Sequence, residues 1–509
     1  MAFLLRRYRY PHPLNILHQP PTVIFPAINL TPRRTRTHGV AGIIKGIQTM
    51  ASQEVKSSLI DFMRGHPSTS LLATSEMLAA ANAVLGGAED LPQDSYDEDR
   101  HPLHYGPDLG NISFRREIGL WSAARYGLAS PTPPEMINLT SGASNGLSKA
   151  LELFSDPVGG YTRRAFILTP VYFLACPIFQ DAGFANLLTA IPLTTCGTSL
   201  DFQSLLSHLT NPPIPKLPTL ETATSPYKSS VSKPLYRHIL YCVPTFSNPT
   251  GTTLSLESRI RLVKIAREHD ILLISDDVYD FLDYDHNNNK TSGVVDGLKT
   301  PVKRLVDIDR ELGVKEGEKG NALSNCSFSK ILGPGVRCGW AEGATSVLAQ
   351  VMGKSGANHS GGTPCQFAST IIHRLLLLKE GGEGGRVIDN VIMNICAVYK
   401  RRATLLKEVI KRCWPEGTEV QGGEGGYFVW VKLPEGYDAR EIAKRAVKRG
   451  VRVGGGDGFE VPVVKGVGEG NFMGWGERCL RLSVSYLDER VIEEGLGVLG
   501  EVIAECGKE

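Results

Sequence analysis

The chain has 509 residues, 42% of them hydrophobic, with Lys+Arg at 55, Asp+Glu at 53 and a formal net charge of +2. That length supports a large buried core and usually more than one domain, and the near-neutral balance gives no support to a nucleic-acid partner. Ten cysteines occur without a Cys-x-x-Cys pair or a zinc-like Cys/His cluster, which predicts an intracellular protein with reduced thiols and no metal site.

Residues 1–50 carry Arg6, Arg7, Arg9, Arg33, Arg34, Arg36 and Lys45 and no acidic residue. Such a leader is similar to a mitochondrial presequence. Pro11, Pro13, Pro20, Pro21 and Pro26 argue against one amphipathic helix, and translation from Met50 behind a disordered tail is an equal alternative. The compartment therefore stays open between cytoplasm and mitochondrial matrix. The run Met136-Ile137-Asn138 leads into Leu139-Thr140-Ser141-Gly142-Ala143-Ser144 and an apolar helix through Leu151 and Leu153. Small residues at a strand-to-helix turn expose backbone N–H groups as an anion site, although many such turns are only caps. The longest apolar stretch, Ala165 to Phe179, is broken by Thr169-Pro170 and Pro177 and is too short to span a bilayer. No membrane segment is predicted. Residues 211–233, rich in Pro, Ser, Thr and Lys, read as a surface insertion.

Tyr241 to Gly251 reads as the end of an apolar run followed by a turn at Asn248-Pro249. Ile271 to Ser275 reads as a buried parallel strand that delivers Asp276, Asp277 and Tyr279 at its carboxyl end, where ligands bind in open α/β sheets. A second insertion, 286–320, separates it from Ser327-Phe328-Ser329-Lys330 and the loop Gly333-Pro334-Gly335-Val336-Arg337. A lysine in a polar turn beside hydroxyls and an arginine suits Schiff-base chemistry next to a bound phosphate. Two similar glycine runs follow, 381–385 and 422–426, the second leading into Tyr427-Phe428-Val429-Trp430. Beyond the Gly-rich 454–476, Arg481 alternates with apolar residues as on a half-buried strand, where a charge is costly unless paired.

Taken in order, these motifs resemble the fold-type I, class I/II aminotransferases dependent on pyridoxal 5′-phosphate (PLP), most closely the branch of fungal 2-aminoadipate and aromatic aminotransferase-like proteins, from about Asp61 to the C-terminus. The resemblance implies an α/β fold. A large domain with a mostly parallel central sheet would span 105–365, and a smaller α/β domain would come from both chain ends, 51–104 and 366–509. Lys330 is implied as the Schiff-base lysine that also moves the substrate proton, and Asp276 as the partner of the pyridine nitrogen. Asn248 and Tyr279 would meet the phenolic oxygen. Ser141, Gly142, Ala143, Ser144, Ser327, Ser329 and Arg337 would hold the phosphate, while Tyr172 would stack on the ring. Arg481 would clamp the substrate carboxylate, with Asn248 beside it, and Gly65 would leave room for the substrate. Tyr105 would reach the phosphate of a neighbouring subunit, which implies a homodimer. A cis bond is expected at Asn248-Pro249, since only X-Pro bonds have a modest cis penalty.

The implied activity is ping-pong transfer of an amino group between an L-amino acid and a 2-oxo acid. A PLP-dependent lyase of the same fold and a non-catalytic PLP-binding regulatory module are the alternatives. The leader lacks the helix-turn-helix pattern that the second would need. The donor stays open among 2-aminoadipate, aromatic and branched-chain amino acids, with 2-oxoglutarate as acceptor by family analogy.

Overall fold

Seven strands form the larger sheet among the described residues: β1 (Ile137–Thr140), β2 (Arg164–Thr169), β3 (Leu188–Pro192), β4 (His238–Cys242), β5 (Ile271–Asp276), β6 (Ala322–Ser327) and β7 (Gly339–Gly343). Their spatial order is β1-β7-β6-β5-β4-β2-β3. The pairs among β2 to β6 are parallel, and β7 runs antiparallel to both β1 and β6. β4, β5 and β6 are buried at every residue, as expected of parallel strands covered on both faces. Side chains alternate between those faces. Ile167, Tyr241 and Ile274 join one core with Leu147 and Leu151 of the helix Ala143–Phe154, while Phe166, Leu240 and Leu273 join another with Leu262 of the helix Leu256–Glu268.

The computed structural model describes residues 59–86, 101–209, 233–284, 301–315, 317–382, 384–462 and 472–507, with backbone also at 294–295 and 298–299. The expected leader, most of the 211–233 insertion, much of 286–320 and part of the Gly-rich 454–476 lie outside the described residues.

A smaller antiparallel sheet comprises β8 (Glu419–Gly422), β9 (Phe428–Lys432), β10 (Gly454–Gly455) and β11 (Cys479–Ser483), in the order β8-β9-β11-β10. The helices Val387–Cys413 and Glu489–Cys506 pack on one another and contribute Ile392, Leu406, Leu496 and Leu499 to its core. Ile60–Asp61 pairs in parallel with Val451–Arg452, so the first described residues join the C-terminal part of the chain. This is the mixed α/β architecture expected from the motifs. Among the described residues, no helix is long and apolar enough to cross a membrane.

Behind the larger sheet lies a buried charge cluster. Arg304, fully buried, donates from Nε to Asp307 at 2.9 Å and from Nη1 to Glu342 of β7 at 2.8 Å, and Arg310 reaches both carboxylates at 3.1 and 3.0 Å. Burial would raise the Glu342 carboxyl, but Arg304 and then Arg310 outweigh it and hold it down at about 2. Because an unfolded glutamate titrates near ~4.3, Glu342 stabilises the fold above that range and the contribution fades as pH falls toward its folded value. Arg304→Met should therefore destabilise the protein by about 3 to 5 kcal/mol, the scale of a broken buried pair. Urea unfolding at pH 7 and pH 3 checks this, and the difference between wild type and variant should shrink at the lower pH.

Candidate active site

The carboxyl ends of β4, β5 and β6 converge on a cavity of about 290 Å³. Ala143, Ser144, Tyr172, Asn248, Asp276, Tyr279, Ser327, Ser329, Lys330 and Arg337 line it from the larger sheet side, Phe428 and Arg481 from the smaller sheet, and Met63 and Gly65 from the segment after Ile60–Asp61. Of the residues anticipated from sequence, Tyr105, Ser141 and Gly142 are not part of this lining.

Lys330 ends the short helical turn Phe328–Lys330 after β6. Phe328 anchors that turn in an aromatic cluster, 5.0 Å from Trp340 and 6.1 Å from Trp121 between ring centroids. Ser327 caps the turn: its Oγ accepts from the Ser329 N–H at 3.1 Å and donates to Ser329 Oγ at 2.9 Å. The half-buried Lys330 amine donates to the Gly65 carbonyl at 3.4 Å. Burial lowers this amine to about 8; Asp276 opposes the shift, and Arg481 and Arg337 add to it.

Asp276 closes β5 and is buried. Its Oδ2 accepts from the Tyr241 hydroxyl at 2.9 Å and its Oδ1 from Asn325 Nδ2 at 3.1 Å. Burial raises its carboxyl to about 6, while Tyr241, Lys330 and Asn325 pull it back. Tyr241 and Asn325 were not anticipated. Tyr241 reads as one more apolar position of β4, and Asn325 meets Asp276 only through the β5–β6 register.

Asn248 precedes a cis proline, as expected, and its Oδ1 accepts from Arg481 Nη1 at 2.9 Å. That bond turns the Asn248 amide nitrogen, a donor, away from the arginine. Burial keeps the Tyr279 hydroxyl protonated, so it too is available as a donor. Arg481 is 2% exposed. Its Nη2 donates to the Met63 carbonyl at 2.7 Å, and the guanidinium lies 4.2 Å from the Phe428 ring centroid and 4.8 Å from that of Phe459. No carboxylate pairs with it among the described residues, and its Nε is buried without an acceptor.

Gly142 caps the helix Ala143–Phe154 at φ 96°. A Cβ there would lie 2.7 Å from Arg337 Nη2. Arg337 in turn donates to the Ser141 carbonyl at 2.8 Å. The Ser141 hydroxyl bonds Thr363 Oγ1 at 3.2 Å instead of facing the cavity, and its N–H is taken by Asn145 Oδ1 at 3.1 Å. Tyr105 is 75% exposed and lies against Gly361, where a Cβ would sit 2.5 Å from its ring.

A pyridine ring bearing an aldehyde and a phosphate needs a counter-charge for its nitrogen, donors for the phosphate and an amine for the aldehyde. Asp276 is the one carboxylate among the described lining residues. The N-terminal amides of the Ala143–Phe154 helix, two serine hydroxyls and a guanidinium form a phosphate-type donor set. Lys330 is the one amine among the described lining residues. The residues fit PLP.

Residues 72–499 match the family model "Aminotransferase class I and II". An uncharacterized protein of Saccharomyces cerevisiae is 39% identical over 457 residues, covering 88% of this chain and 97% of that one. Aromatic-amino-acid aminotransferase 1 of Thermococcus litoralis is 28% identical over 404 residues, covering 79% and 80%. Among solved structures, the alpha-aminoadipate aminotransferase of Thermus thermophilus, complexed with N-(5'-phosphopyridoxyl)-L-leucine, shares the fold with a TM-score of 0.64 at 22% identity, covering 91% of this chain and 97% of that one. A match over most of the chain and a cavity of this chemistry lead to one conclusion: the chain belongs to the class I and II aminotransferases and is a PLP-dependent transaminase of fold type I.

Proposed function

We propose that this transaminase takes donors with large apolar or aromatic side chains, or 2-aminoadipate, and passes the amine to 2-oxoglutarate. Arg481 carries the reading of an amino-acid site. A buried guanidinium without a carboxylate partner among the described residues, facing the cavity beside Lys330, matches a substrate α-carboxylate, for which a planar fork is suited. Met63, Phe173, Leu174, Val278 and Phe428 on the cavity wall favour an apolar side chain, and the named relatives act on aromatic amino acids and α-aminoadipate.

PLP, when bound, supplies an aldehyde that carries the amino group and a ring that draws electron density from the substrate α-carbon. Lys330, with an amine near 8, is neutral often enough at neutral pH to attack a carbonyl and to carry a proton at the α-carbon. Asp276 opposes the charge of a protonated ring nitrogen. Asn248 Nδ2 and the Tyr279 hydroxyl would donate to the phenolic oxygen, and Tyr172 would stack on the ring. The Ala143 and Ser144 amides at the Gly142 turn, with Ser327, Ser329 and Arg337, would hold the phosphate. Ser141 acts through its carbonyl, which holds Arg337. Gly65 lets its segment pack against Phe428, because a Cβ there would sit 2.7 Å from that ring.

We also propose a homodimer in which the exposed Tyr105, beside Gly361, donates to the partner's phosphate. In domain terms, 105–365 forms the large domain and 51–104 with 366–509 the small one. Ten free thiols suit a reducing compartment, cytoplasm or mitochondrial matrix.

A panel of amino donors against 2-oxoglutarate and pyruvate, read from the cofactor spectrum in each half-reaction, tests the substrate reading. Large apolar or aromatic donors or 2-aminoadipate should lead, and a preference for aspartate or alanine overturns it. Lys330→Ala should fold, lose turnover and lose the lysine that borohydride fixes to PLP. In the wild type, apoenzyme uptake of PLP should accelerate as pH rises through about 8, where the amine loses its proton. Tyr105→Phe should weaken PLP retention by about 1 to 2 kcal/mol, the scale of a hydrogen bond to a charged group. Mixing it with Lys330→Ala at limiting PLP should restore activity, because mixed dimers contain one intact site. A fully active, PLP-loaded monomer excludes the shared site.

A further inference from the structure

The glycine run 422–426 lies flush against two of the segments that build the cavity. A Cβ on Gly425 would sit 2.3 Å from the Phe246 ring, and one on Gly426 2.7 Å from Phe246 Cβ, so the run presses on the turn that carries Asn248. On its other side, Gly426 N–H donates to the Leu282 carbonyl and Tyr284 N–H to the Glu424 carbonyl, both at 2.9 Å, just beyond Tyr279. With no room for a Cβ at Gly425 or Gly426 and main-chain hydrogen bonds on the other side, the run fixes the residue that follows against the larger sheet.

That residue is Tyr427, fully buried. Its hydroxyl donates to the main-chain carbonyl of Lys330 at 2.8 Å. Its ring centroid lies 5.5 Å from Lys330 Nζ and 5.3 Å from the Tyr279 ring, and the ring meets Tyr399 edge-on at 5.5 Å. In the turn itself, the Ile331 and Leu332 N–H groups both return to the Phe328 carbonyl, at 3.1 and 2.8 Å. The Lys330 carbonyl is held by Tyr427, the residue just before β9 of the smaller sheet. A lysine reaches its target through a long flexible arm, so a small rotation of the peptide at its base displaces the amine by a larger distance.

We propose that Tyr427 is a positioning residue for Lys330: seated by the glycine run, its hydroxyl fixes the turn from which the lysine amine is aimed. Buried tyrosines are common as packing, and Tyr427→Phe separates the two roles because it keeps the ring and removes only the hydroxyl. The inference rests on the role assigned above to Lys330, which the borohydride experiment on Lys330→Ala tests separately.

Two measurements decide it. In the apoenzyme, amide hydrogen exchange of the segment 328–332 should be about fivefold faster in Tyr427→Phe, as expected for the loss of one hydrogen bond, with the rest of the larger sheet unchanged. In the PLP-loaded enzyme, the single-turnover rate with the fastest donor of the panel should fall roughly tenfold, in line with the cost of a misaligned reacting group. The affinity for that donor should hold, and the isotope effect from its α-deuterated form should rise. Exchange and rates at wild-type values overturn the proposal. So does a loss of rate matched by equal losses of donor affinity and thermal stability, which indicates packing alone.

Discussion

The site is organised around a carboxylate that is expensive to bury. Asp276 stands at the end of the central strand with little access to water, and such a group is kept ionised only by what surrounds it. Tyr241 and Asn325 occupy one oxygen each, from the strands on either side. The Lys330 amine supplies the nearby positive charge, and each group shifts the other: Asp276 holds the amine higher than burial alone would, and Lys330 holds the carboxyl lower. Neither side chain has its chemistry without the sheet order that sets β4, β5 and β6 next to one another.

The same strands are tied together behind the cavity by further buried polar groups. Ser275 donates to Asp277 at 2.9 Å, Ser324 of β6 donates to the same carboxylate, and Tyr126 donates to Asp280 at 2.9 Å. Arg259 donates to the Pro244 carbonyl and to Thr245 Oγ1, both at 2.9 Å, which fixes the start of the turn that carries Asn248. Buried networks of this kind are costly when partly satisfied, and here one oxygen each of Asp277 and Asp280 stays unpaired while the rest are held. Rigidity is what a cavity with several fixed donors requires.

The motifs carried the cavity groups because two follow apolar strands and the third is a distinctive Ser-x-Ser-Lys turn, and the order of the three matched the family's. Asn248, Asp276 and Lys330 were legible for that reason. Their partners were not. Asn325 lies inside a strand and meets Asp276 only through register, and Tyr241 looks like any other core aromatic. Phe428 reaches the cavity from the smaller sheet and Met63 from the segment after Ile60–Asp61, where contact depends on how separate elements meet. Ser141 shows the reverse case. Its place in the small-residue turn suggested a hydroxyl turned to phosphate, but Asn145 takes its N–H and Thr363 its hydroxyl, so only the carbonyl works for the site, through Arg337.

The reversed direction of β7 has a consequence for how this fold can vary. Because the chain doubles back after β6, the amine of Lys330 and the guanidinium of Arg337 belong to one connection, residues 328–338, between adjacent antiparallel strands. The connecting loop limits their separation, and Tyr427 and the Ser141 carbonyl hold its two ends. Added or lost residues between those two strands would slide the register of β7 and carry Arg337 away from the helix terminus at Gly142. The parallel connections elsewhere in the sheet cross over its faces and have room to lengthen. Drift in chain length should therefore concentrate in the crossovers, while the loop between Lys330 and Arg337 stays constant in size.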